Sequence, residues 1–103
     1  MDILETEAKI VNALKQVYDP EIPVNVYDLG LIYGIEVTVK KTANITMTLT
    51  APNCPLVDML LKDVENSVGA VEGIEQVNIN LVFDPPWDKS MLSEEAKLDL
   101  GLL

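Results

Sequence analysis

The sequence predicts an α+β domain: a three-stranded sheet with helices packed on one face, in the order αββαβα. Three observations predict it. Three segments alternate apolar and polar residues with period two, as half-buried strands do. Two longer segments carry apolar residues at helical spacing instead. The link between the first two strands is too short for anything but an antiparallel hairpin. A chain of 103 residues with no shift of composition along it fits one domain, residues 1–103. With 49% hydrophobic but only 5% aromatic residues, its core must be mainly aliphatic.

The first helix is expected from Ile3 to Tyr18, where Ile3, Leu4, Ile10, Val11, Leu14, Val17 and Tyr18 follow the 3.6-residue period. Asp2 and Glu5 resemble a capping box at its start. Pro20 disfavours helix at Asp19, so the helix should stop there. Pro20 to Gly30, with two prolines and no clean period, reads as a long loop. The first strand is expected to point Ile35, Val37 and Val39 inward, the second Ile45, Met47 and Leu49, and the third Val77, Ile79, Leu81 and Phe83. Lys41, Thr42, Ala43 and Asn44 would link the first pair. The one-sided alternation calls for helices on one face of the sheet and solvent on the other.

Between the second and third strands, residues 55 to about 71 read as a helix with Leu56, Leu60, Leu61, Val64, Val68 and Val71 on one stripe. Pro55 suits its first position and Gly73 follows its end. Asp84-Pro85-Pro86-Trp87 breaks the third strand, and Ser93 caps a short last helix reaching Leu98 or Leu100.

Charge excludes some functions. Seventeen acidic residues face seven lysines and no arginine, a net charge of −10, which argues against nucleic acid and anionic membranes as partners. No apolar run is long enough to span a membrane, and the N-terminus has no basic signal-peptide region, so a cytoplasmic location is expected. Enzyme templates fail as well: there is no histidine, no glycine-rich phosphate loop and no nucleophile elbow, and the expectation is a protein that is not an enzyme.

Thiol chemistry has one candidate, Cys54, the only cysteine of the chain. It lies between the second strand and the second helix, in Thr50-Ala51-Pro52-Asn53-Cys54-Pro55. A thiol at a helix start meets unpaired amides and the positive end of the helix dipole, which favour the thiolate. The competing reading is a small buried hydrophobe. One thiolate is a poor metal site alone, because zinc and iron–sulfur clusters usually take four protein ligands. Carboxylates of the same chain, a second copy in a homodimer, or a client protein are three ways to complete it. Asp19, Glu21 and Asp28 supply carboxylates in the proline-bearing loop, although each also has an ordinary reading as a helix stop, a solvated charge or a turn residue. Trp87 is either a lid on the core or an anchor for a partner.

Three segments together go further: Asp19-Pro20-Glu21-Ile22-Pro23 continuing to Asp28-Leu29-Gly30-Leu31-Ile32; Thr50 to Pro55; and Asp84-Pro85-Pro86-Trp87 followed by Leu92-Ser93-Glu94-Glu95-Ala96. In this order they resemble the SufT-type metal–sulfur cluster biosynthetic family, which includes PaaD-like proteins. The chain lacks the cysteine-bearing C-terminal segment of PaaD-like members, which favours the SufT-type side. The resemblance implies a fold similar to the NifU-like cluster-assembly domain and an accessory role in iron–sulfur cluster assembly. It implies partners among the assembly machinery and client apo-proteins, and a transiently held iron ion or cluster. It makes Cys54 the functional thiol and carries over Asp19, Glu21, Asp28 and Thr50; with Asn53 beside the thiol these are the expected pocket residues, and Cys54 is the expected metal ligand. A metal-free adaptor working through the acidic surface and Trp87 is the alternative.

Overall fold

The computed structural model describes residues 2–19, 22–50 and 57–101. Elements run α1 (Ile3–Leu14), β1 (Ile32–Val37), β2 (Thr42–Met47), α2 (Val57–Gly69), β3 (Gln76–Leu81), a 3-10 turn (Lys89–Met91) and α3 (Glu94–Asp99). The sheet order is β1-β2-β3, antiparallel between β1 and β2 and parallel between β2 and β3. The parallel pair follows from connectivity, since α2 carries the chain back to start β3 beside the start of β2. The αββαβα order and the α+β class are as the sequence predicts.

Asp2 opens α1, its carboxylate accepting from the Glu5 amide at 3.3 Å. Ile10 and Leu14 of α1 and Leu60, Val64 and Val68 of α2 meet Ala43, Ile45 and Met47 of β2 in one buried cluster. Burial of each large aliphatic side chain contributes about 1.5–3 kcal/mol. The helices lie against each other, α1 on the β1 side and α2 on the β3 side. The opposite face is polar: Asn44 Nδ2 donates to Glu36 Oε1 and Asn78 Nδ2 to Asn44 Oδ1, both at 3.0 Å, joining all three strands.

Several boundaries differ from the sequence reading. α1 stops at Leu14, four residues short of Tyr18, because Val17 is needed elsewhere: its carbonyl accepts from Val26 at 2.8 Å, and Tyr18 bridges Asn25. Tyr18 is therefore exposed. The hairpin tip is Thr38 to Lys41, with Lys41 at φ +65, so Thr42, Ala43 and Asn44 belong to β2 and Val39 is 83% exposed. β1 begins at Ile32, and a bulge between Ile32 and Gly34 returns Ile32 to the face carrying Ile35. α2 ends at Gly69, before Val71, and Phe83 falls beyond β3 as a half-exposed ring. Pro55 and Leu56 lie outside the described residues.

Candidate functional site

Beyond the end of β2 the chain runs on through Thr48 and Leu49 to a bend at Thr50. The Thr48 amide donates to the Leu31 carbonyl at 2.9 Å, and the Val82 amide to the Met47 carbonyl at 2.8 Å. Thr48 and Leu49 are buried and Thr50 half-buried. Together with Phe83, Pro86 and Trp87 they line a cavity of about 260 Å³. Its wall is mostly apolar. Leaving this cavity along the chain, Thr50 leads directly into residues 51–56, which include Asn53 and Cys54.

Trp87 reaches the cavity because a second segment holds it there. Its indole Nε1 donates to the Leu29 carbonyl at 2.6 Å, while the Ser93 amide donates to the Asp28 carbonyl at 2.8 Å. The Tyr33 hydroxyl adds a bond to the Pro85 carbonyl at 2.7 Å, beside the cis Asp84-Pro85 peptide. The receiving turn is a single helical turn fastened at both ends. Asn25 Oδ1 accepts from the Asp28 amide and Asn25 Nδ2 donates to Asp28 Oδ2, both at 2.8 Å. Gly30 closes it at φ +82, and the Met91 backbone lies where any β-carbon would stand. The turn thus needs a glycine twice over, for its dihedral and for the close approach of the C-terminal segment.

The residues singled out in the sequence separate into groups. Thr50 and Trp87, 37 positions apart, share the cavity. Asp19 is buried at 7% exposure, and its Oδ1 accepts from the Ile22 amide at 3.1 Å, shaping the loop that follows α1. The Asp28 carboxylate is engaged by Asn25 and does not line the cavity. Glu21, Asn53 and Cys54 lie outside the described residues. Among the described residues no three His, Cys, Asp or Glu side chains come together as metal ligands. Sequence reading missed Thr48, Leu49, Phe83 and Pro86 as lining residues, and Asn25 as the partner of Asp28. The Asn25-x-x-Asp28 spacing carried a signal for the second, since an Asn three residues before an Asp can cap its amide. No helix among the described residues is long and apolar enough to cross a membrane.

Comparison with known proteins agrees with these motifs. Residues 7–81 match the model of a family described as iron-sulfur cluster assembly protein. A Porphyromonas gingivalis protein named Fe-S protein maturation auxiliary factor is 55% identical over 99% of this chain and 97% of its own length. The Staphylococcus aureus Fe-S protein maturation auxiliary factor SufT is 34% identical over 84% of this chain and 98% of its own. A Bacillus anthracis crystal structure, described as a domain of unknown function DUF59, superposes with TM-score 0.92 at 34% identity, covering 100% of this chain and 98% of that one. With its motifs, fold and sequence in agreement, the chain belongs to the iron–sulfur cluster assembly protein family.

Proposed function

We propose that the protein is a cytoplasmic accessory factor that passes iron or an iron–sulfur cluster to client apo-proteins, with the Cys54 thiolate as a transient ligand and no catalytic turnover of its own. The names carried by its relatives support a role in cluster assembly. The observation that carries the thiol reading is connectivity: Cys54 sits in the short segment between Thr50, which lines the cavity, and α2. A cargo held by one thiolate needs further ligands. A client protein or a second copy supplies them, and the ligand set is complete only during transfer. The cavity beside Thr50 gives a client somewhere to anchor while ligands exchange.

Anaerobic reconstitution with iron and sulfide, followed by absorbance and metal analysis, tests the ligand. Wild type is expected to take up iron that Cys54→Ser does not, and equal loading of the two refutes it. A second reading, a metal-free adaptor that grips clients through Phe83 and Trp87, is favoured by the half-exposed aromatic wall of the cavity. Activation of an apo iron–sulfur enzyme that survives Cys54→Ser but is lost in Phe83→Ser supports the adaptor instead.

A further inference from the structure

The two edges of the sheet are built differently. β1 is interrupted by its bulge between Ile32 and Gly34 and carries Glu36. Bulges and charges are common ways of keeping an edge from pairing with another chain. β3 has neither device. It pairs in unbroken register with β2 from Gln76 to Leu81, and no charged residue or proline occurs from Gln76 to Phe83. The Val82 bond to Met47 and the Gln76 bond to Lys41 fix which way its backbone faces. Even-numbered residues address β2, so the amides and carbonyls of Val77, Ile79 and Leu81 point away from the sheet. No strand among the described residues pairs with them. The side chains of the same three residues are only partly buried against the core.

The charges around this neutral edge say what fits it. Gly69 of α2 lies against Val77, a β-carbon there standing 3.8 Å from Val77 Cγ2. Asp58, Lys62 and Glu65 share the helical stripe of Gly69 and so border the edge. Exposed Glu72 precedes β3 and exposed Asp84 follows it, while Glu75 is already matched by Lys41 at 3.7 Å. The border is thus four carboxylates against Lys62. A second copy of this chain brings the same sign of charge, in a molecule of net charge −10. We infer that the outer edge of β3 receives an extended segment of a basic partner protein, added as a fourth strand, with uncharged alternating residues at its centre and lysine or arginine at its ends. This goes beyond the thiol reading and does not depend on it.

The test uses the full chain and a synthetic peptide of alternating valine and threonine capped by lysine pairs, with a glutamate-capped peptide as control. Hydrogen exchange by NMR is expected to slow about tenfold or more at Val77, Ile79 and Leu81, with Asn78 and Asn80 unchanged because their amides already bond β2. Binding is expected to weaken as salt rises. Asn80→Lys, an exposed position, should weaken it about two- to fivefold through like-charge cross-strand contact. Cys54→Ser keeps the same edge and should bind equally, so this result and the iron-loading result stand apart. The inference is overturned if the lysine-capped peptide does not bind, if it leaves those three amides unprotected, or if the glutamate-capped peptide binds as well. It is also overturned if concentrated protein alone shows the same protection together with dimer mass in sedimentation, since the occupant would then be a second copy.

Discussion

Gly30→Ala separates two reasons for a glycine, and the structure assigns each a size. At φ +82 an alanine bears the left-handed penalty of about 1–2 kcal/mol. Its methyl group would also press on the Met91 backbone, whose carbonyl carbon stands 2.9 Å from the β-carbon position. Overpacking of this kind costs about 1–3 kcal/mol, so the whole loss is about 2–5 kcal/mol. A domain of this size loses about 4–8 °C of Tm per kcal/mol, which predicts a fall of about 8 °C or more. Gly101 provides the control, with φ +74 and nothing within 4 Å of its β-carbon position. Gly101→Ala should show the dihedral penalty alone. Urea unfolding followed by circular dichroism measures both variants. Fluorescence of Trp87, the only tryptophan, reports whether the C-terminal segment has lifted from the Leu29 turn. If the two variants lose the same stability and Trp87 emission does not shift, the close approach of Met91 to the turn is not a constraint.

Trp87→Phe keeps an aromatic wall but removes the 2.6 Å bond to the Leu29 carbonyl; a loss of about 1–2 kcal/mol is expected in urea unfolding. Ser93→Ala removes the acceptor of the Ala96 amide at 3.1 Å, and should cost about 1 kcal/mol with fraying of α3 seen as faster exchange at Ala96 and Lys97. Asn25→Ala takes both side-chain bonds from Asp28; it should lower stability by about 1–2 kcal/mol and broaden the NMR signals of Tyr27 to Gly30. Val39→Lys should change stability by less than about 0.5 kcal/mol, as at any exposed tip, whereas Val37→Ala in the core should cost several times more.

The elements were legible where one periodicity held without competition. Ile45 and Met47 alternate with threonines, and Leu60, Val64 and Val68 repeat at helical spacing, and each lands in the core. Val39 and Phe83 show where that logic fails. Each extends an alternating run by one more apolar residue, but the strand ends before it because the backbone must turn, at the Thr38–Lys41 tip and before Asp84-Pro85. Val17 and Tyr18 fail differently. Their helical spacing is sound locally, and what removes them from α1 is pairing with Val26 and Asn25, a tertiary bond that no local pattern announces. The bulge at Ile32 to Gly34 is similar, since it shifts face assignment by one residue and leaves the composition unchanged.

The site was legible as a set of motifs but not as a place. Thr50 and Trp87 each drew notice alone, and nothing in a linear pattern says that a chain leaving β2 and a chain leaving β3 will enclose one cavity. The parallel pairing decides it. Because β2 and β3 run the same way, both exit at the same end of the sheet, and the Asp84-Pro85-Pro86-Trp87 segment must turn back beside Thr50. An antiparallel β3 would have put Trp87 at the opposite end, near the Lys41 hairpin. The same pairing sets the C-terminal end of β2 and Thr50, four residues before Cys54 in the sequence, at that end of the sheet. Crossover connection, sheet order and site position are therefore one fact. If Cys54 holds cargo as proposed, a variant that weakens the Trp87 to Leu29 bond should alter transfer without touching the thiol, and Trp87→Phe with unchanged iron stoichiometry but slower transfer is the outcome that would separate holding the cargo from delivering it.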